Sequence, residues 1–435
     1  MAKRQIILPM KTHEDVYINA VKEASALWNI SQVANHGHLS RLLTKDNDKD
    51  QETVKWVFIL SYQRTGSTFI GRMFNDPDTV FYIYEPLDPL YSAMYGIQDG
   101  WAVPSDIFNN RNGSLRSLPE TEQNAITWTM ERIFTCNMAS LPPAILAHKF
   151  WSMFNPQMTH TQKYISCLKR ENLTVSTILL NCQKFIRRRC GVRFGEKPIH
   201  NKYCREVLWG NDLATDNDHY VPSCNKYRRS LSNETLPADF KQYFQCLIDV
   251  EPTLTKCASD YLDEPCRQKK LRAIKTVRAN MRSAKLLLKS YHKIYLIHVY
   301  RDPRGVVRSR LKKAWARGLA NRSRVDYEAQ LYCSTVLNDI RKRKHLENEG
   351  HSNQIKEIIY DDFVQKPLLT VLDSYHFLGK EPSMEVKRYY HGTQCRSFWN
   401  KTQCRSTKWI KTLKQENTTT INSACSEFFK ETNLS

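Results

Sequence analysis

The stretch VFILSYQRTGSTFIGRMFN, residues 57–75, decides the fold. Its first half is apolar and β-rich, the pattern of a strand buried on both faces, and the run begins at Val54. Phe69, Ile70, Met73 and Phe74 then recur at helical spacing. Between strand and helix lies a short loop with Arg64 at its front. Such a junction aims backbone N–H groups and the positive end of the helix dipole at one point, which suits an anion. Gly66 lets the backbone approach that anion closely. Ser67 and Thr68 are expected to cap the helix and offer hydroxyls. Arg64 brings a planar fork suited to phosphate or sulfate oxygens. The Gly-Lys-Ser/Thr ending of an ATPase phosphate loop is missing. Taken alone, the motif reads equally well as an ordinary strand-to-helix turn.

Three further strands follow from the same pattern: TVFYIYE (79–85), KIYLIHVY (293–300) and IKEIIY (355–360). Helical patterns separate them, at 278–290, 305–317 and 327–348. Alternating strands and helices predict an α/β fold with a P-loop-like parallel sheet flanked by helices. A second strand–turn–helix, YLIHVYRDPRGVVRSRL (295–311), repeats the logic of the first. Arg301 stands at its strand end, Pro303 starts the turn, and Ser309 lies eight residues beyond Arg301, flanked by Arg308 and Arg310. Both strand ends belong at the carboxyl edge of the sheet, where open α/β sheets bind ligands. Two anion sites on one edge suit a nucleotide with phosphates at both ends.

The 435 residues carry a formal net charge of +21, which attracts polyanions: nucleic acid, an anionic membrane surface or an acidic polysaccharide. Thirteen cysteines include no Cys-x-x-Cys pair, so no metal site is expected. Eight Asn-x-Ser/Thr sequons start at Asn29, Asn112, Asn172, Asn233, Asn321, Asn400, Asn417 and Asn433. Cysteines and sequons together favour an oxidising lumen. Residues 152–270 hold eight of the cysteines and read as a disulfide-pinned insertion near the active face; 391–435 read as a helical cap. Residues 1–53 are polar, with a helix expected near 14–33; the apolar patch Ile6–Met10 is too short for a signal-peptide core. No run of 18 apolar residues occurs, so no membrane span is expected within this sequence.

YQRTGSTF resembles the 5′-phosphosulfate loop of sulfotransferases, and YRDPRGVVRSR resembles their 3′-phosphate element. With FYIYEPL (81–87), IKTVRANM (274–281), IIYDDFVQKPLLTVLDSYHFLG (358–379) and WIKTL…INSAC (409–425), the chain is similar to the Golgi carbohydrate sulfotransferases, the galactose/N-acetylgalactosamine/N-acetylglucosamine 6-O-sulfotransferase family. The likeness covers about 54–100 and 270–430, and the domain is placed at 54–430 with a tail at 431–435. The insertion is longer and richer in cysteine than the family pattern. The resemblance implies 3′-phosphoadenosine 5′-phosphosulfate as donor. Arg64, Thr65, Gly66, Ser67, Thr68 and Phe69 would surround its 5′-phosphosulfate, and Arg301 and Ser309 would bind its 3′-phosphate. It also implies a sugar-hydroxyl acceptor on a glycosaminoglycan such as keratan or chondroitin, or on an N- or O-glycan. A type II membrane protein of the Golgi lumen is expected, its anchor not present in this sequence, with a homo-oligomer possible.

Transfer to a hydroxyl needs a base, and Glu85, closing the second strand, is the candidate. Its rival role is a structural carboxylate paired with an arginine, and Arg278 is placed to hold either it or the acceptor. His298 is expected to be a satisfied core residue, and His36-Gly37-His38 a loop. Trp409 and Tyr84 are candidates for stacking on a sugar ring, though aromatic residues also serve as plain core. Three competing readings remain at this level: an inactive glycan-binding protein on the same fold, a P-loop kinase or NTPase, and a nucleic-acid binder.

Overall fold

The computed structural model describes residues 54–97, 103–110, 114–153, 158–190, 201–209, 228, 230–312, 322–393 and 409–434. The expected helix at 14–33, the His36–His38 loop, the sequons at Asn29, Asn112, Asn321 and Asn400, and Cys224, Cys395 and Cys404 lie outside the described residues.

Elements are numbered in chain order, short helices being given by range. They are β1 (Lys55–Leu60), α1 (Ser67–Gly71), β2 (Val80–Tyr84), α2 (Leu87–Tyr95), α3 (Glu120–Phe134), α4 (Thr159–Arg170), α5 (Val175–Gln183), α6 (Arg187–Cys190) and α7 (Ala238–Ala258). There follow β3 (Leu271–Thr276), α8 (Met281–Ser290), β4 (Ile294–Tyr300), α9 (Pro303–Leu311), α10 (Arg322–Leu346), β5 (Ile355–Ile359), α11 (Pro367–Phe377), α12 (Met384–Gly392), α13 (Gln415–Ala424) and α14 (Ser426–Thr432). The five strands form one all-parallel sheet in the order β2-β3-β1-β4-β5.

β1 sits at the centre and alternates between two cores, as a doubly covered strand must. Trp56, Phe58 and Leu60 join the cluster built with α2, α3, α7 and α8, where Trp56 stacks on Phe134 at 5.1 Å. Val57 and Ile59 face the other way, into Ile70, Met73 and Phe74 and the helices α11 and α12. A third cluster packs α9 and α10 against α13 and α14.

The path of the chain sets the ligand edge. From β1 it skips over β3 to reach β2; from β4 it moves the opposite way to β5. Neighbouring strands whose connections diverge leave a crevice at their carboxyl ends. Here that crevice lies between β1 and β4, so the loops carrying Arg64 and Arg301 flank it.

One strand escaped the sequence pattern. β3 reads LRAIKT, with Arg272 and Lys275 breaking its apolar run, yet it lies between β1 and β2 and Lys275 is buried. The expected helices start and end within a few residues of those observed, except 305–317, which ends at Leu311 within the described residues.

The described parts of residues 152–270 are helical and pinned. Cys136–Cys266, Cys167–Cys257, Cys182–Cys246 and Cys190–Cys204 bridge it, and each such link typically contributes roughly 2–4 kcal/mol by restricting the unfolded chain. Its apolar residues Leu168, Ile186, Phe244 and Leu247 belong to the same core as β1, so it is packed into the domain rather than appended. Cys333–Cys425 ties α10 to the C-terminal helices. All ten cysteines among the described residues are paired. No helix among them is long and apolar enough to cross a membrane.

Candidate active site

The loop after β1 is held in an unusual backbone conformation. Arg64 has φ 75° and Gly66 φ 78°, both left-handed. For Arg64 this costs about 1–3 kcal/mol, and such strain persists where surrounding structure imposes it. Gly66 has a second reason to lack a side chain, because a Cβ there would stand 2.0 Å from the Tyr360 ring. Thr65 is fully buried, and its hydroxyl donates to the Tyr62 carbonyl (2.8 Å), so it shapes the loop from inside.

The expected Ser/Thr cap is not formed: Gly66 occupies the cap position of α1 and no side chain caps it. The Thr68 hydroxyl contacts the Tyr84 hydroxyl instead (2.9 Å). The amides opening α1 therefore keep their direction without a capping oxygen across them, which is what an external anion needs. Phe69 points away from the loop, its ring 5.2 Å from Phe363 and 5.3 Å from Tyr390. It braces the helix and lends the anion no side-chain donor.

The second element meets the first directly. Arg64 Nε donates to Ser309 Oγ at 2.9 Å, joining residues 245 apart in the chain. Burial lowers the pKa of Arg64; nearby Tyr84 opposes this, and the positive charges of Arg301 and Arg310 reinforce it. Arg301 is 9% exposed. Its guanidinium lies 4.6 Å from the Tyr360 ring, the ring that also covers Gly66. Gly305 makes room for it, since a Cβ there would stand 2.8 Å from Arg301 Nε. The Arg301 backbone is fixed by Tyr332, whose hydroxyl accepts from the amide (3.0 Å) and donates to the carbonyl (2.8 Å).

The other arginines of this element have structural work. Asp302 caps α9 through the Arg304 amide (2.8 Å) and pairs with the Arg304 guanidinium (2.7 Å). Arg308 donates to Thr412, and Arg310 pairs with Glu328 (3.1 Å). Asp361 accepts from the Asp302 amide (2.8 Å) and lies 3.8 Å from Arg301 Nε; burial pushes its pKa up to about 6.

The aromatic candidates are partly occupied. Arg304 lies 4.5 Å over Trp409, and Lys275 lies 4.4 Å over Tyr84. Each ring thus already has a cation against one face. His298 is a buried core residue, as expected, but only half satisfied: Nε2 bonds to the Tyr62 hydroxyl (2.8 Å), Nδ1 has no hydrogen-bond partner among the described residues, and burial holds the pKa well below the ordinary value.

Glu85 lies where the sequence placed it, past the end of β2, but its setting is that of a locked ion pair. It has φ 59° and is buried. Lys275 Nζ donates to Oε1 (2.5 Å), while Arg278 Nη1 (2.6 Å) and the Val277 amide (3.2 Å) donate to Oε2. Burial alone would raise its pKa; Lys275, then Arg278, more than offset that, and the net shift is downward. Arg278 also holds Asp88 (2.7 Å), so it grips two carboxylates at once. A carboxylate engaged in this way is a weaker and less available proton acceptor than the sequence suggested.

Lys275, Asp88, Tyr360 and Asp361 are site residues that sequence reasoning missed. A lysine inside a strand, in IKT, was the available signal for the first.

A sequence profile described as "Sulfotransferase family" matches residues 57–383, from β1 to the start of α12. No curated protein and no solved structure matches the chain.

Proposed function

The chain belongs to the sulfotransferase family, and from that premise we propose that it transfers a sulfuryl group to a sugar hydroxyl, by in-line displacement, on a glycoprotein glycan or glycosaminoglycan. Sulfuryl transfer from 3′-phosphoadenosine 5′-phosphosulfate is the family's reaction; the sugar acceptor, with the 6-hydroxyl of galactose, N-acetylgalactosamine or N-acetylglucosamine as its position, is our reading of the motifs. The observation that carries the site is the Arg64–Ser309 contact, which brings the two anion elements into one crevice.

The residues present fit the donor. Arg64 sits near the like charges of Arg301 and Arg310 and has no carboxylate partner among the described residues. A bound phosphate or sulfate relieves that repulsion. Arg64 and the amides opening α1, with the hydroxyls of Ser67 and Thr68, would hold the 5′-phosphosulfate; Arg301 and Ser309 would hold the 3′-phosphate. Bound there, the donor supplies the sulfuryl group, and Arg64 stabilises charge that grows on the departing 5′-phosphate oxygen. Losing one donor of this kind costs about 10²–10³ in rate.

Glu85 is our candidate for the acceptor proton, with a condition set by its partners. It is ionised, but Lys275 and Arg278 occupy its lone pairs, so it takes a proton only as one of them turns to another anion. A second reading keeps the fold and donor site but assigns Glu85 a purely structural role in an inactive glycan-binding protein. The locked ion pair is the observation favouring it.

The five disulfides among the described residues suit an oxidising compartment. Asn172 and Asn233 are exposed, as acceptors of N-glycans must be. Together they support a lumenal, glycosylated protein, which we place in the Golgi. The deciding experiment offers labelled donor and desulfated keratan and chondroitin chains, and locates sulfate by mass spectrometry. Label on a sugar 6-hydroxyl supports the reading. Donor consumption with no glycan labelled would leave a sulfotransferase of other acceptors, and retained glycan binding without transfer would favour the inactive alternative.

A further inference from the structure

We propose that the exposed cations Lys184, Arg187 and Arg188, braced by the Arg189–Asp239 ion pair, form a docking strip for the remote part of a polyanionic glycan, at a distance from the point of transfer. The inference rests on the sugar-acceptor reading above and adds where a long acidic acceptor is held.

The strip is built, not merely charged. Residues 184–189, KFIRRR, carry four cations and no acid. A run like this is ordinarily a solvated face. Here the residues between and around the cations fix it in place. Cys182 and Gln183 at the end of α5, Ile186 in the turn that follows and Cys190 at the end of α6 are all buried, while Lys184, Arg187 and Arg188 between them are exposed. Disulfides bracket the strip on both sides, Cys182–Cys246 before it and Cys190–Cys204 after it. Arg189 is further held by Asp239, and the Arg189 carbonyl accepts from Asn201 Nδ2 (3.0 Å). A flexible basic tail loses conformational entropy when it binds; a bracketed strip has lost it already.

Its position relates it to the crevice. Gln183 Nε2 donates to the Ile97 carbonyl (3.2 Å), and Cys190 lies so near Gly96 that a Cβ there would be 2.9 Å from it. Gly96 ends α2, whose first residue is two beyond Glu85. α2 is nine residues, about 14 Å, and is buried throughout. The strip and the transfer edge are thus braced to opposite ends of one rigid helix. An extended chain can touch both; a disaccharide seated at Glu85 cannot. Carboxylates or sulfates on a glycosaminoglycan match the cations in sign and repeat along the chain.

The test compares three forms of the full chain: wild type, K184E/R188E, and K366E/K430E, which reverses two exposed cations elsewhere. Initial rates are measured with long chondroitin chains and with a disaccharide cut from them, and direct binding of the long chains is measured by titration. The expected result is a rise of about tenfold in KM and in Kd for the long chain in K184E/R188E, fading in high salt. KM for the disaccharide and affinity for 3′,5′-adenosine bisphosphate should not change, and K366E/K430E should behave as wild type. The proposal is overturned if K184E/R188E binds long chains as wild type does, or if K366E/K430E loses as much. It is also overturned if vesicles rich in anionic phospholipid displace the long chains while neutral vesicles do not, since the strip would then serve a membrane surface. If wild type sulfates neither glycan, the acceptor reading has failed, and the titration alone decides the strip.

Discussion

The two halves of the crevice are charged in opposite styles. On the β1–β4 side, Arg64 has no carboxylate partner among the described residues, and Asp361 lies 3.8 Å from Arg301 Nε. On the β2–β3 side, Lys275 and Arg278 are matched by Glu85 and Asp88, two cations against two anions, all buried. We read the first half as the one that receives an anion from outside. The second is closed and neutral, its two cations and two anions paired with one another. Similar residue types serve in both; what differs is that Arg64 meets a hydroxyl where Arg278 grips two carboxylates.

The largest expected effect tests the first half. Arg64→Gly removes both the guanidinium and the left-handed strain at φ 75°. Turnover should fall by about 10²–10³, while the melting temperature holds or rises, because glycine adopts that backbone freely. A fall in melting temperature with turnover intact would make Arg64 structural and erase the contrast.

Glu85→Gln tests the second half. Removing one member of a buried ion pair leaves Lys275 and Arg278 short of charge, at a cost of about 3–5 kcal/mol in stability. If Glu85 also takes the proton, turnover per folded molecule drops by about 10²–10⁴ and the acidic limb of the rate profile is lost. Donor affinity, measured by titration with 3′,5′-adenosine bisphosphate, should remain. Lower stability with an unchanged rate would sharpen the comparison differently: the closed half would be purely a brace.

Ser309→Ala should weaken binding of the same bisphosphate by about 3–10-fold, the worth of one hydrogen bond, with acceptor KM unchanged. An equal change in acceptor KM would show that Ser309 does not belong to the donor half alone.

The smallest effect concerns Asp361, the carboxylate on the open side. Its folded pKa is raised to about 6. Any stability it lends is therefore fully present below the ordinary aspartate value, near 4, and lost as pH rises through about 6. The same sign applies to Arg301: above pH 6 the Asp361 anion competes with an incoming phosphate. Asp361→Asn should bind 3′,5′-adenosine bisphosphate several-fold tighter than wild type at pH 7.5 and equally at pH 5, because both forms are then largely neutral. An affinity ratio that ignores pH would remove Asp361 from the donor half.

How far the sequence revealed all this follows the same division. The open half was readable because each part is local: strand, loop and helix are contiguous, and Arg64, Arg301 and Ser309 stand at recognisable places in them. The closed half was not. Lys275 breaks the apolar pattern of β3 and hides the strand, and what makes a lysine tolerable there is Glu85, 190 residues earlier. Glu85 itself was found, but its availability as a base depends on partners that no local pattern displays. Ser67 and Thr68 misled in the other direction. They have the chemistry of helix caps, yet Gly66 takes the cap position and leaves the α1 amides for an anion. The disulfides could be expected as a set but not as pairs, because spacing alone permits many connectivities.

The central claim is that the turns after β1 and β4 grip opposite ends of one nucleotide. Binding of 3′,5′-adenosine bisphosphate and of adenosine 5′-monophosphate, measured side by side in metal-free buffer on wild type and Arg301→Ala, tests it most directly. The expected result is a preference of about 10–100-fold for the bisphosphate in wild type, abolished in Arg301→Ala. Equal binding of the two nucleotides by wild type would contradict it.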